Sequence, residues 1–145
     1  MLYGEFTHQI DSRFRIRIPF RFKDELGKEY VFYRAEKGII AIYSAERAKQ
    51  KFGFLENVSP FDRQAVAFAM KFLKNLYNAE DDGQGRVIIP EPLRGELDGK
   101  DVVSIGAGDH IELMSVERSE ALKNADDDPA CMEFLNKMYN ESKNG

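Results

Sequence analysis

The sequence has few cysteine and histidine residues. It holds one cysteine, Cys131, and two histidines among 145 residues, which excludes an intramolecular disulfide and a zinc site made of soft ligands alone. A nucleophile with its base and orienting partner, a glycine-rich phosphate loop and paired histidine ligands are all missing. We therefore expect a protein that is not an enzyme and uses neither a cofactor nor a metal.

Long apolar stretches are missing as well. No run approaches the roughly 20 residues that span a bilayer, and the residues from Met1 to Glu5 lack the basic and then apolar order of a signal peptide. We expect a cytoplasmic protein with no membrane partner. The length of 145 residues suits one ordinary domain, or two small ones that share a core.

A net positive charge is the third absence, but the charge is unevenly distributed. The formal net charge of −4, taken alone, argues against a nucleic-acid partner. Residues 1–59 carry +3, residues 60–118 carry −4 and residues 119–145 carry −3. From Asp11 to Lys23, five basic side chains accompany a single acid. The acidity thus argues against indiscriminate coating of DNA and leaves room for binding through a few placed arginines.

The chain contains an internal duplication. A shift of 71 residues aligns a first copy, 11–47, with a second copy, 82–118, without a gap. Eleven of the 37 aligned positions are identical, against about two expected by chance. The identical pairs include Asp11/Asp82, Arg15/Arg86, Ile18/Ile89 and Pro19/Pro90, and Lys23/Arg94 is a chemically similar pair.

Both copies predict the same order of short elements. A β run leads to a proline that opens one or two helical turns, ending at Leu26 or Leu97, and two further β runs follow. Ser44 or Ser115 then caps a helix. The predicted β runs are 16–18, 30–33 and 39–43 in the first copy and 87–89, 101–105 and 111–114 in the second, with another at 2–10.

Two further helices are predicted outside the copies. Ser59 as N-cap and Pro60 at the first helical position open an apolar helix that extends to Tyr77. So apolar a helix must be buried by both copies or by another subunit. The last helix begins after Asp128, and we expect Cys131 to lie on its apolar stripe as a small buried side chain.

A basic segment in the first copy is the candidate binding feature. Strand periodicity places Arg13, Arg15 and Arg17 on one face and Phe14, Ile16 and Ile18 on the other. One interpretation is a solvated face with acidic partners. The other is an anion-binding ridge, because arginine binds phosphates and guanine edges. Only Arg15 recurs in the second copy, again four residues after an aspartate, and a structural salt bridge explains that recurrence as well as a binding role does.

The second copy contains a recognisable signature. It reads DGQGRVIIP from Asp82 to Pro90, followed by Leu93 and Arg94, and resembles the D-x-x-G-R-[IV]-x-I-P-x-x-[LF]-R signature of the AbrB/SpoVT swapped-hairpin superfamily. Two such copies in one chain resemble the MraZ family of bacterial transcriptional regulators, which is associated with the division and cell-wall gene cluster. The family's opening pattern has counterparts in Met1, Gly4, His8, Asp11 and Arg15.

The resemblance covers residues 1 to about 118 and implies a mainly β fold with short helices, of the α+β class. Two swapped-hairpin half-barrels are related by a pseudo-two-fold axis, with repeats at 1–59 and 79–118, a linking helix at 60–78 and an acidic helical tail at 119–145. It further implies a homo-oligomer, in the form of a ring, that binds double-stranded DNA at direct repeats in promoters and is associated with the nucleoid.

The resemblance also implies site residues at equivalent places in the two copies. The implied DNA-binding residues are Arg13, Arg15, Gln84 and Arg86. Strand alternation, and not the family, adds Arg17. Asp11 and Asp82 are assigned to orienting the loops that precede the arginines.

The first copy departs from the signature at Phe14, where the second copy has Gly85. If the position requires a positive φ, phenylalanine is costly there. Either the first loop has a different backbone shape, or glycine is not required and Phe14 packs inward. Contact of Phe14 with a thymine methyl group is a third alternative.

The acidic tail, the two histidines and the acids 126–128 have interpretations that do not involve DNA binding. The acidic tail and its capped helix also fit an antitoxin-like or other protein-interaction module, although single-motif antitoxins of this superfamily are shorter and pair two chains. His8 and His110 do not correspond between the copies, and we expect them to be structural or surface residues. The acids 126–128 are expected to form a solvated turn rather than a cation site.

Overall fold

The computed structural model describes residues 1–124 and 128–144 of the chain. Its strands are β1 (Glu5–Gln9), β2 (Arg15–Arg17), β3 (Glu29–Glu36), β4 (Ile39–Ser44), β5 (Tyr77–Glu80), β6 (Arg86–Ile88), β7 (Asp101–Gly106) and β8 (Ile111–Ser115). Its helices are α1 (Phe20–Leu26), α2 (Ala45–Phe52), α3 (Arg63–Leu73), α4 (Val116–Lys123) and α5 (Pro129–Asn144), with 3₁₀ helices at Gly53–Asn57 and Glu91–Glu96. The predicted α+β class is confirmed.

The two copies exchange strands within one antiparallel sheet. The strand order is β1-β7-β8-β4-β3-β5, and β2 and β6 pair separately. The strand that precedes the first copy, β1, pairs with β7 of the second, and β5 pairs with β3 of the first. This exchange is the predicted swapped hairpin. Because both copies contribute to one sheet, the boundaries proposed from the repeat separate sequence units rather than independently folded ones.

The serine N-cap predicted in each copy is present in the structure. Ser44 Oγ accepts a hydrogen bond of 3.0 Å from the Arg47 amide, and Ser115 Oγ accepts one of 3.2 Å from the Arg118 amide. These bonds cap α2 and α4, which lie at the same offset as the copies. The strands before the two caps, β4 and β8, pair with each other in the centre of the sheet.

One hydrophobic core is built from both copies. Its members include Ile16, Ile18, Phe22, Leu26 and their counterparts Val87, Ile89, Leu93 and Leu97. Each of these side chains is nearly or fully buried, which stabilises the fold by about 1.5–3 kcal/mol for each large apolar side chain. The main core is therefore shared by the two copies.

A close backbone approach fixes the N-terminal segment. The Gly106 amide donates a 2.8 Å hydrogen bond to the Gly4 carbonyl. A Cβ at position 106 would lie 2.3 Å from the Tyr3 nitrogen, a distance that only glycine avoids. The opening residues therefore lie directly against the end of β7.

The linking helix differs from its prediction at both ends. Its N-cap is Asp62, whose Oδ1 accepts a 3.1 Å hydrogen bond from the Ala65 amide, whereas Ser59 lies in the preceding turn. The helix ends at Leu73, and Tyr77 begins β5. The prediction of a helix through Tyr77 was wrong because pairing with β3 outweighs the local helical spacing.

Only one side of α3 packs on its own chain. Ala69 is buried and the Phe72 ring packs against Tyr33 and Phe52. The side chains of Phe68 and Met70 are 64% and 54% exposed. Residues of the repeat at 1–59 thus bury part of the apolar surface of this helix, and the side chains of Phe68 and Met70 stay exposed.

The last helix begins as predicted. Asp128 Oδ1 accepts a 3.0 Å hydrogen bond from the Ala130 amide ahead of α5. The prediction that Cys131 is buried was wrong, because α5 exposes every side chain that the structure describes. Two of the three acids expected to form a solvated turn, at 126 and 127, lie outside the described residues. Among residues 1–124 and 128–144, no helix has the length and apolarity needed to cross a membrane.

Candidate nucleic-acid interface

The two arginine-bearing loops lie side by side on a short β ribbon. We define loop 1 as residues 11–15 and loop 2 as residues 82–86. They lead into β2 and β6, which pair with Arg15 opposite Ile88 and Arg17 opposite Arg86. The central pair, Ile16 and Val87, is buried in the core. The arginines therefore share the other face of the ribbon.

An aspartate organises loop 1 by hydrogen bonds. Asp11 Oδ1 accepts 2.9 Å bonds from the amides of Arg13 and Arg15. Its Oδ2 accepts a 2.7 Å bond from Arg15 Nε. The carboxylate thus fixes both the turn of the backbone and the direction of the Arg15 guanidinium.

Loop 2 repeats this arrangement and adds a contact. Asp82 Oδ1 accepts bonds of 2.8 Å from the Gln84 amide and 3.3 Å from the Arg86 amide, and Oδ2 accepts a 2.7 Å bond from Arg86 Nε. Arg86 Nη2 also donates a 2.9 Å bond to Gln84 Oε1. The predicted pair of site residues in this loop is therefore in direct contact.

Hydrogen bonds within the loops favour the ionised forms of the two aspartates. The hydrogen bond from the Arg15 amide, with further bonds from Arg15 and Arg13, holds the pKa of Asp11 below its ordinary value. The Gln84 amide, followed by the bonds from Arg86, does the same for the pKa of Asp82. Both aspartate–arginine pairs are therefore charged at neutral pH.

Both loops turn through the same left-handed backbone position. Phe14 has φ 58° and its counterpart Gly85 has φ 83°. The Ile89 amide donates to the Phe14 carbonyl at 2.8 Å, and the Ile18 amide donates to the Gly85 carbonyl at 3.3 Å. The alternative of a different backbone shape was wrong. Inward packing was also wrong, because the Phe14 side chain is 45% exposed.

Of the three arginines that strand alternation placed on one face, Arg15 and Arg17 lie there, and Arg13 does not. Strand β2 begins at Arg15, so Arg13 lies in the turn and not on the strand face, although it is exposed as expected. The alternation fails here because the left-handed residue at Phe14 interrupts the pleat. Arg17 lies on the ribbon, and its Nη1 donates a 2.6 Å hydrogen bond to the Gln84 carbonyl of loop 2.

Sequence reasoning missed the side chains that join each copy to the loop of the other. Lys23 of the first copy forms an ion pair with Asp81, beside loop 2. Arg94 of the second copy lies over the Phe14 ring of loop 1, at 4.5 Å from its centroid. The alignment of Lys23 with Arg94 was the available signal, but the partners of both emerge only from the strand exchange.

The histidines lie in structural settings, as expected. His8 contacts Ser104 Oγ at 2.6 Å across β1 and β7. His110 lies between Asp109 and Glu112, at 2.8 and 2.9 Å. None of these contacts involves a residue of loop 1 or loop 2.

Comparisons with known proteins are consistent along the chain. Residues 72–127 match a family model described as that of the MraZ protein and as antitoxin-like. A protein named transcriptional regulator MraZ from Thermoanaerobacter sp. strain X514 is 34% identical over 128 residues, which are 88% of this chain and 90% of that protein. Proteins of the same name from Finegoldia magna and Alkaliphilus oremlandii are 34% and 33% identical, over 86% and 95% of this chain and 87% and 96% of their own. These names denote regulators and not enzymes.

Proposed function

The chain belongs to the MraZ family of transcriptional regulators, and from this premise we propose that it binds double-stranded DNA sequence-specifically through loops 1 and 2. The supporting observation is the repeated geometry of an arginine held by an aspartate four residues earlier. In both loops the carboxylate takes Nε of the arginine. The Nη groups at the far end of the guanidinium are the donors suited to the O6 and N7 atoms of guanine.

We assign the residues of the interface by their contacts. Arg15 and Arg86 read bases, while Arg13 and Gln84 make neighbouring contacts. Arg17 holds the loop 2 backbone and adds positive charge to the same ribbon face. Asp11 and Asp82 orient the two loops through hydrogen bonds to their backbone amides.

The finer function follows from the resemblance to the family. The protein assembles into a homo-oligomeric ring and binds direct repeats upstream of the division and cell-wall gene cluster, in association with the nucleoid. Repeats about 10–10.5 base pairs apart suit successive subunits that meet the same side of the duplex. Linked subunits raise the overall affinity without new contacts.

A salt-titrated binding assay on the DNA upstream of this protein's own gene tests the proposal. We expect Arg15→Ala and Arg86→Ala each to weaken specific binding by about 1–3 kcal/mol, because each removes a bidentate base contact. Arg118→Ala is the matched control, since this arginine of α4 pairs with Glu36 and lies outside both loops. Unchanged binding by the folded double variant Arg15→Ala, Arg86→Ala would contradict the site assignment.

A protein-interaction module, such as an antitoxin-like partner, is the second candidate. Helix α5 favours it, because its described side chains are all exposed and include Phe134 and Leu135. This candidate predicts that a stoichiometric protein other than the chain itself copurifies with it. Loss of that partner on removal of α5, with DNA binding absent in the full chain, would favour it over the regulator.

A further inference from the structure

At three equivalent positions beside the loops, the two copies carry side chains of different chemical type. Beside each loop, three residues from both copies meet under the left-handed turn. At loop 2 these residues are Asp81, Gly85 and Lys23, and at loop 1 their counterparts are Ile10, Phe14 and Arg94.

At loop 2 the basic residue is neutralised inside the protein. Lys23 Nζ donates to Asp81 Oδ2, and the Asp81 side chain is only 3% exposed. Asp81 Oδ1 accepts the amides of Gly83 and Gly85 at 2.6 and 3.1 Å. The charge of Lys23 is therefore used to hold loop 2 together.

At loop 1 the equivalent cation is Arg94, and the position that corresponds to Asp81 holds Ile10 in place of a carboxylate. Ile10, the counterpart of Asp81, is buried and apolar. Arg94 Nε donates a 2.9 Å hydrogen bond to the Ile89 carbonyl, and its guanidinium lies over the Phe14 ring. Among residues 1–124 and 128–144, no side chain accepts from the two Nη groups of Arg94 or forms an ion pair with it.

Arg94 borders an open cleft beside loop 1. The cleft has a volume of about 220 Å³ and is lined by Ser12, Phe14 and Lys100 as well as Arg94. The Asp11 carboxylate also lines it, but its two oxygens already accept from Arg13 and Arg15. Two basic residues and a serine thus border a space large enough for a phosphate group.

We propose that Arg94 is a further DNA-contacting residue that binds a backbone phosphate beside loop 1, with the Phe14 ring as its platform and Lys100 at the same cleft. An arginine stacked on an aromatic ring keeps its planar donors aligned, and those donors match phosphate oxygens bidentately. Loop 2 has no such donor because Lys23 is paired. The two loops of one chain therefore contact DNA unequally, with loop 1 contributing the additional phosphate contact.

This inference rests on the proposed DNA-binding function, and a pair of equivalent substitutions tests it separately. The probe is a short duplex from upstream of the protein's own gene, titrated with salt. Log affinity falls as log salt rises, and Arg94→Gln should make this negative slope shallower by about 0.9 for each loop 1 engaged. Arg94→Lys should retain most of the slope, because it keeps the charge.

Lys23→Gln is the matched control, with the same change of charge at the equivalent position. We expect its slope to equal that of the unaltered protein. If the unpaired Asp81 carboxylate lowers the melting temperature of this variant below the assay range, all variants are compared at a lower temperature at which it is folded.

The possible outcomes separate the inference from the proposed function. A folded Arg94→Gln variant with an unaltered slope, or a control with an equal loss, overturns the role of Arg94, while weakened binding by Arg15→Ala and Arg86→Ala leaves the function standing. If the unaltered protein does not bind the duplex at all, the proposed function itself fails.

Discussion

Phe14 shows how a single residue is accommodated against its intrinsic preference. A side chain with a Cβ in the left-handed region costs about 1–2 kcal/mol relative to its usual conformations. In return, the Phe14 ring gains the contact with the Arg94 guanidinium, which contributes about 0.5–1 kcal/mol at a partly exposed site. The cross-copy contact therefore offsets much of the strain at this position.

We predict that Phe14→Gly is more stable than Phe14→Ala by about 1 kcal/mol. Both variants remove the ring, but only alanine retains a Cβ at φ 58°, so their difference isolates the cost of the left-handed backbone. The free energy of unfolding in urea measures it. An alanine variant as stable as the glycine variant would show that loop 1 does not hold this conformation in solution.

At the scale of elements, a charged cluster joins α2 to β8. Lys51 Nζ and Arg47 Nε of α2 lie 3.1 and 3.6 Å from Asp109 Oδ2. His110 bridges Asp109 and Glu112 and stacks on the Tyr43 ring, with ring centroids 4.5 Å apart. The cluster fixes the helix that follows β4 onto the central strand of the second copy.

The two histidines give this sheet opposite responses to pH. Burial lowers the pKa of His110, but its hydrogen bonds to Glu112 and Asp109 outweigh this effect and raise the pKa above the ordinary 6.5. Burial alone lowers the pKa of His8 below the same value. His110 therefore contributes stability that is lost as pH rises above about 6.5, whereas His8 costs stability as pH falls below it.

We predict that single substitutions separate these responses. His8→Gln, which keeps only His110, should become less stable as pH rises from 6.5 toward its raised pKa. His110→Gln, which keeps only His8, should become less stable as pH falls below 6.5. Urea unfolding between pH 5.5 and 8.5 measures both, in a range above the ordinary aspartate pKa of 3.8. A dependence of the reverse sign in either variant would contradict the cluster as described.

At the scale of the whole molecule, the fold leaves apolar surface on the outside of α3. Phe68 and Met70 are more than half exposed, and Leu73 lies on the same helix at 42%. Large apolar side chains left exposed on one helix are more than a soluble protein usually leaves uncovered and are typical of an interaction site. These side chains support the proposed homo-oligomer, because the described residues of the same chain leave them exposed and a second subunit could cover them.

We predict that Phe68→Glu lowers the mass of the assembly, because a carboxylate in the contact between subunits must be desolvated. Sedimentation velocity measures the mass, and the melting temperature confirms that the subunit remains folded. Phe20→Glu is the control: Phe20 is 90% exposed, and its counterpart in the second copy is Glu91. An unaltered mass for Phe68→Glu would exclude Phe68 from the subunit contact.

The sequence by itself determined the features that depend on residues a few positions apart. The Asp11–Arg15 and Asp82–Arg86 pairs, the serine caps of α2 and α4 and the proline-initiated turns follow from local hydrogen bonds, and the 71-residue shift placed them twice. Local chemistry of this kind is the same wherever the segment lies in the fold.

Only the tertiary structure decided which copy completes which loop. The exchange of β1 and β5 brings Lys23 to Asp81, 58 residues away, and Arg94 to Phe14. Strand periodicity fixes which face a residue occupies but not the partner strand or its register. For the same reason, it is a property of the packed sheet that Lys23 is neutralised at loop 2, whereas Arg94 at loop 1 forms no ion pair with the residues that the structure describes. The two residues nevertheless align in the duplicated sequence.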